Sequence, residues 1–102
     1  MAYDPAEQVE IEQAFLELLR AATLDGAGKR KAGKKVSWKY DTGHLTAFHR
    51  HVGRAYLDPR GRDSDSGQSH WVAAAWRALA MAWQETYPEK AREAMRRDGY
   101  GG

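Results

Sequence analysis

The chain contains no cysteine. A disulfide framework and a thiolate-bound zinc or iron–sulfur centre are therefore excluded. No apolar run approaches the roughly 18 residues of a membrane span, and no signal peptide is visible. A soluble cytoplasmic protein with no membrane partner is the expectation. No strand-like alternation of useful length and no internal repeat occur either. Proline is scarce: Pro5, Pro59 and Pro88 are its three occurrences, each beside the end of an apolar helical pattern. What remains is a sequence for an all-α domain.

Four Trp, five Tyr and two Phe in 102 residues supply an aromatic-rich core or interface. A domain this small buries a limited share of its surface, so a homo-oligomer is expected. The net charge of +2 conceals a strong asymmetry. Residues 1–25 hold six acids and one base, whereas residues 26–62 hold ten bases and two acids. The middle of the chain is thus the place for an anionic ligand, or else a solvated basic surface.

Periodicity predicts three to four helices in a small bundle. Asp4-Pro5 starts the first, with Ile11, Phe15, Leu18, Leu19 and Ala22 on one face and an end near Leu24. The stretch from Asp25 to Gly43, with four glycines and five lysines, predicts a long basic loop between helices 1 and 2. Within it Val36, Trp38 and Tyr40 alternate like a short extended piece, with Trp38 pinning the loop. Helix 2 spans about 42 or 44 to 57 and stops at Asp58-Pro59. Helix 3 spans about 69–85 on a stripe of Val72, Trp76, Leu79 and Trp83. Pro88 breaks that helix or opens a fourth over 88–97. Residues 1–97 form one helical domain and 98–102 a flexible tail.

Three motifs bear on chemistry. Gly28–Lys35, GKRKAGKK, approaches a P-loop but has Lys35 where Ser or Thr must hold magnesium, and no strand precedes it. Lys29, Arg30, Lys34 and Lys35 remain candidates for phosphate contact. DSDSG, at Asp63–Gly67, begins like a calcium loop but would place Ala74 where a bidentate Glu is required. It is either a turn that caps helix 3 or a pair of carboxylates, Asp63 and Asp65, for magnesium. His44 and His51 are seven residues apart and share a helical stripe, whereas His49 points elsewhere; solvent or the edge of the core is the expected place for His44 and His49.

Taken in order, GAGK (Gly26–Lys29), Trp38, Arg50-His51, Gly61, DSDSG and HWVAAAWRAL from His70 resemble the phage and prophage dATP/dGTP diphosphohydrolase-like (N-terminal domain) family. That is a MazG-like all-α group of nucleotide pyrophosphohydrolases. The resemblance spans about residues 14–85. Arg62 stands where the family has Glu, Asp65 is shorter than the family's Glu, and Ala73 replaces a second histidine. The resemblance implies a purine dNTP diphosphohydrolase-like protein, catalytically degenerate in part. Asp63 and Asp65 would hold magnesium. Lys29, Arg50 and Arg77 would neutralise phosphate charge, Trp38 would stack on the base, and His51 or His70 would orient water or substrate. The alternative keeps the fold without the enzyme: a phage-type binding protein meeting a host protein or nucleic acid through its basic 26–62 segment.

Overall fold

A computed structural model of the chain describes residues 4–31, 36–64 and 67–100, with the side chains of residues 24–31 outside that description. Four helices follow in order: α1 (Pro5–Lys31), α2 (His44–Leu57), α3 (His70–Thr86) and α4 (Pro88–Arg97). Among the described residues no strand forms, only an isolated antiparallel bridge between Arg62 and Ser69. None of the helices is long and apolar enough to cross a membrane.

α1 begins as its sequence predicts. The Asp4 carboxylate accepts the Ala6 N–H at 3.0 Å, and Pro5 fills the first helical position, where a missing donor costs nothing. The helix does not stop near Leu24, however. It continues through Gly26 and Gly28 to Lys31, so the basic Gly/Lys loop loses its first half to helix. The two glycines disfavour helix by about 1 kcal/mol each. Ala27, Lys29, Arg30 and Lys31 are good helix formers, and cations suit the negative end of the helix dipole. Residues 32–35, and with them Lys34 and Lys35, lie outside the described residues.

α3 is the central element. Among the described residues it packs most extensively against α2 and also touches α1 and α4. α2 buries His44, Ala47, His51 and Ala55, and α3 buries His70 and Ala74 on the facing side. Small alanines let two antiparallel helices approach closely, so that the larger polar side chains beside them can meet.

Val36, Trp38 and Tyr40 do not form an extended piece. Residues 38–40 turn, with the Tyr40 and Asp41 N–H groups donating to Ser37 O. Trp38 anchors this turn. Its ring packs edge-on against Trp83 at 4.8 Å and Trp76 at 6.2 Å, and its carbonyl accepts hydrogen bonds from His44 and Gln84. The end of α4 is tied to the same turn. Tyr40 donates its hydroxyl to Asp98 at 2.7 Å and stacks on Tyr100. Asp98 and Tyr100, expected in a flexible tail, are therefore docked; residues 101–102 lie outside the described residues.

Candidate functional site

The site begins with helical spacing. His44 and His51 are seven residues apart on α2, and His70 and Arg77 are seven apart on α3, so each pair spans two turns on one face. The helices run antiparallel, so His51 meets His70 and His44 meets Arg77 in one register, with the buried Ala47 and Ala74 between them.

At one end of this interface His51 and His70 face each other. Their Nδ1 atoms are 3.4 Å apart, and both residues are buried, at 6% and 7% exposure. One Nδ1 must carry a proton and the other a lone pair for this contact to be a hydrogen bond. Burial holds the His51 imidazole below the ordinary histidine range, and the neighbouring Arg50 lowers it further; Asp63 pulls the other way.

Asp63 reaches these rings from the α2–α3 loop. The Asp63 N–H donates to Gln68 O, and Gly67 N–H donates back to Asp63 O, both at 2.8 Å. Arg62 and Ser69 pair just outside. Gly67 closes the loop at φ 72°, a left-handed conformation that glycine adopts without steric cost. A Cβ at Gly61 would stand 2.8 Å from the exposed Asp58 carboxylate and 3.1 Å from the Asp58 carbonyl oxygen, so these groups would have to give way. So constrained, Asp63 offers a carboxylate oxygen that lies with one nitrogen each of His51 and His70, all within 4.8 Å of one another. Arg54 pairs with Asp63 at 3.8 Å from the more exposed side.

The other end of the interface is closed by a polar lock. His44 is 1% exposed. Its Nε2 lies 2.8 Å from Trp38 O and its Nδ1 2.9 Å from an Arg77 guanidinium nitrogen. A carbonyl only accepts and a guanidinium only donates, so Nε2 carries the proton and Nδ1 the lone pair. Arg77 also pairs with Asp41 at 3.7 Å and lies over the Trp76 ring. Gln84 donates to the carbonyls of Trp38 and Asp41.

Of the residues singled out in the sequence, His51, His70 and Asp63 thus converge, and Arg50 lies exposed beside them on α2. Arg77 lies in the α2–α3 interface against His44 and Asp41. Trp38 lines an apolar groove of about 250 Å³ with Leu19, Thr23, Trp76, Leu79, Ala80 and Trp83. Lys29 stands on the last turn of α1, with its side chain outside the described set. Asp65 lies outside the described residues altogether. His44 is buried, not at a solvent edge, whereas His49 is exposed. The His44–Arg77 lock was not legible in the sequence; the matching seven-residue spacings on α2 and α3 were its signal. Compared with family models, curated proteins and solved structures, the chain matches none of them.

Proposed function

We propose that this protein is a nucleotide phosphohydrolase-like protein of the dATP/dGTP diphosphohydrolase-like type, with its site at the His51–Asp63–His70 end of α2 and α3. One observation carries the reading: two buried imidazoles and a carboxylate converge beside exposed cationic side chains. A divalent metal ion bound there would supply Lewis acidity toward a phosphoryl oxygen and a more acidic water. Arg50 and Arg54 stand on the exposed side of α2, where they can neutralise a polyphosphate chain. In the balanced reaction, water adds to the α-phosphorus and the bond from that phosphorus to the bridging oxygen breaks. Pyrophosphate leaves with the bridging oxygen, and a proton of the attacking water passes to solvent.

The test is release of pyrophosphate from each dNTP by purified protein with a series of divalent ions. Activity on a purine dNTP, lost at least about 100-fold in Asp63→Asn, is the expected result. No pyrophosphate from any dNTP with any ion would overturn the reading.

A second reading is favoured by the exposure of Arg50, Arg54, Arg60 and Arg62 along α2 and the turn after it. On it the chain binds an acidic host protein or nucleic acid without turnover. Binding to a nucleic acid would weaken steeply with added salt, which a titration at two ionic strengths reads directly.

We further propose a homo-oligomer. Ile11, Phe15 and Leu18 on α1 are 39%, 60% and 52% exposed, so the described residues leave the first part of the apolar stripe that the sequence prescribes uncovered.

A further inference from the structure

The ion that the converging side chains would accept follows from their chemistry. Magnesium demands oxygen ligands in near-octahedral order at 2.0–2.1 Å and usually keeps several waters. Two of the three groups here are imidazoles, buried together where few waters could complete a magnesium shell. Imidazole nitrogen suits zinc and its transition-metal neighbours.

The spacing of the two imidazole nitrogens agrees with this, while the carboxylate oxygen, which lies with them within 4.8 Å, would close in on an ion. Two nitrogens bonded to one ion at 2.0–2.1 Å with a tetrahedral angle are about 3.3 Å apart. Ligands at right angles in an octahedral magnesium shell would be only about 2.9 Å apart. The two Nδ1 atoms stand at 3.4 Å. We propose that His51 Nδ1, His70 Nδ1 and the Asp63 carboxylate form a three-ligand site for a zinc-class divalent ion, with a fourth position left to water or a phosphate oxygen. Three protein ligands and one open position is the arrangement of catalytic rather than structural zinc.

Among the described residues this is the one His/Asp set that converges. His44 has both ring nitrogens engaged, by Trp38 O and Arg77. His49 is exposed on α2, its ring against Phe48. Asp63 is placed by backbone hydrogen bonds of its own loop. Arg54, half exposed at its side chain, is able to swing outward as the carboxylate turns to an ion. The inference rests on the phosphohydrolase reading only for the use of the fourth position.

The experiment titrates the metal-stripped full chain with Zn²⁺, Co²⁺ and Mg²⁺, following heat and, for Co²⁺, visible absorption. One Zn²⁺ per chain is expected. Co²⁺ should give the intense visible bands of a four-coordinate ion, and Zn²⁺ should displace it. Magnesium in large excess should do neither. His51→Gln, His70→Gln and Asp63→Asn should each weaken zinc binding by more than the roughly 10- to 100-fold that loss of an outer-shell partner costs. His49→Gln should leave it unchanged. Circular dichroism on each variant shows whether the helices persist, and Asp63→Asn keeps the test open if either histidine variant unfolds. No zinc binding, or zinc held equally well by His51→Gln and His70→Gln, or binding that follows His49 instead, overturns the site. Zinc binding without pyrophosphate release leaves the site standing and removes the hydrolase reading. Pyrophosphate release with magnesium and no zinc binding does the reverse.

Discussion

His44 and His51 occupy equivalent places on α2 two turns apart, yet their surroundings give them different work. His44 is saturated by a carbonyl on one nitrogen and a guanidinium on the other. His44→Leu keeps the volume but removes both bonds and takes one partner from the nearly buried Arg77. A loss of roughly 2–3 kcal/mol of stability is expected, read as the shift in a urea midpoint; an unchanged midpoint would show that the lock contributes nothing. His51 behaves as a proton-linked group. Burial lowers its imidazole from the ordinary value of 6.5, as do Arg50 on its own helix and His70 and Arg77 on α3, while Asp63 from the loop opposes them. The unfolded chain therefore binds more protons at this position than the folded one, and stability rises with pH. Above the ordinary value both states are neutral and nothing is lost. As the pH falls below it, toward the lower folded value, stability drains away. For the metal-free protein, the melting temperature should fall between about pH 7.5 and pH 5, and His51→Gln should flatten that fall.

Helix ends carry the next layer of the argument. α3 starts because the Ser69 hydroxyl accepts the Trp71 N–H at 3.2 Å; Ser69→Ala should cost about 1 kcal/mol. α4 ends because Gly99, at φ 67°, lets its own N–H donate to Arg96 O and the Tyr100 N–H donate to Met95 O. This is the paired pattern that satisfies the last carbonyls of a helix. The loop between α2 and α3 depends on Gly67 in the same way. Among the described residues no side chain or backbone crowds a Cβ added there, so Gly67→Ala tests conformation. A cost of about 1–2 kcal/mol is expected for the left-handed backbone, or several degrees of melting temperature in a domain of this size. Because the Gly67 N–H donates to Asp63 O, zinc affinity should fall in the same variant. Full affinity in a destabilised Gly67→Ala protein would show that Asp63 is placed without the closed loop.

For the molecule as a whole, shape is the informative quantity. A compact chain of this length has a radius of gyration of about 13 Å; this one measures 15.5 Å, with a long axis of 50 Å. The excess follows from α1, whose 27 residues extend about 40 Å and which, among the described residues, packs against α3 and no other helix. Leu19 and Thr23 on its later turns reach the groove of Trp38, Trp76 and Trp83. The earlier residues Ile11 and Phe15 remain uncovered, at 39% and 60% exposure. Light scattering at tens of micromolar, on the order of a weak dimer's dissociation constant, should report a dimer or larger. Phe15→Glu with Leu18→Glu should return it to a monomer with its helical content kept. A wild-type monomer at that concentration would sink the proposal.

The sequence by itself determined the all-α class and most of the limits of α2, α3 and α4, because the signals at those ends are local. Asp58-Pro59, Ser69 and Pro88 act within a turn of where they stand, and the 3.6-residue apolar period is a property of each helix alone. The end of α1 was not legible. There two glycines oppose several cationic helix formers, and a balance of about 1 kcal/mol per residue gives no clear signal. His51, Asp63 and His70 could be picked out by residue type, but their meeting is a tertiary event. It needs α2 and α3 antiparallel in one particular register, small alanines at the crossing, and a loop closed by Gly67 that turns the Asp63 carboxylate inward. The same register decided what residue type could not: that His44 would be consumed by Arg77 and Trp38, while His51 faces a second imidazole and a carboxylate. Helical spacing fixes which side chains share a face; only packing decides what that face meets.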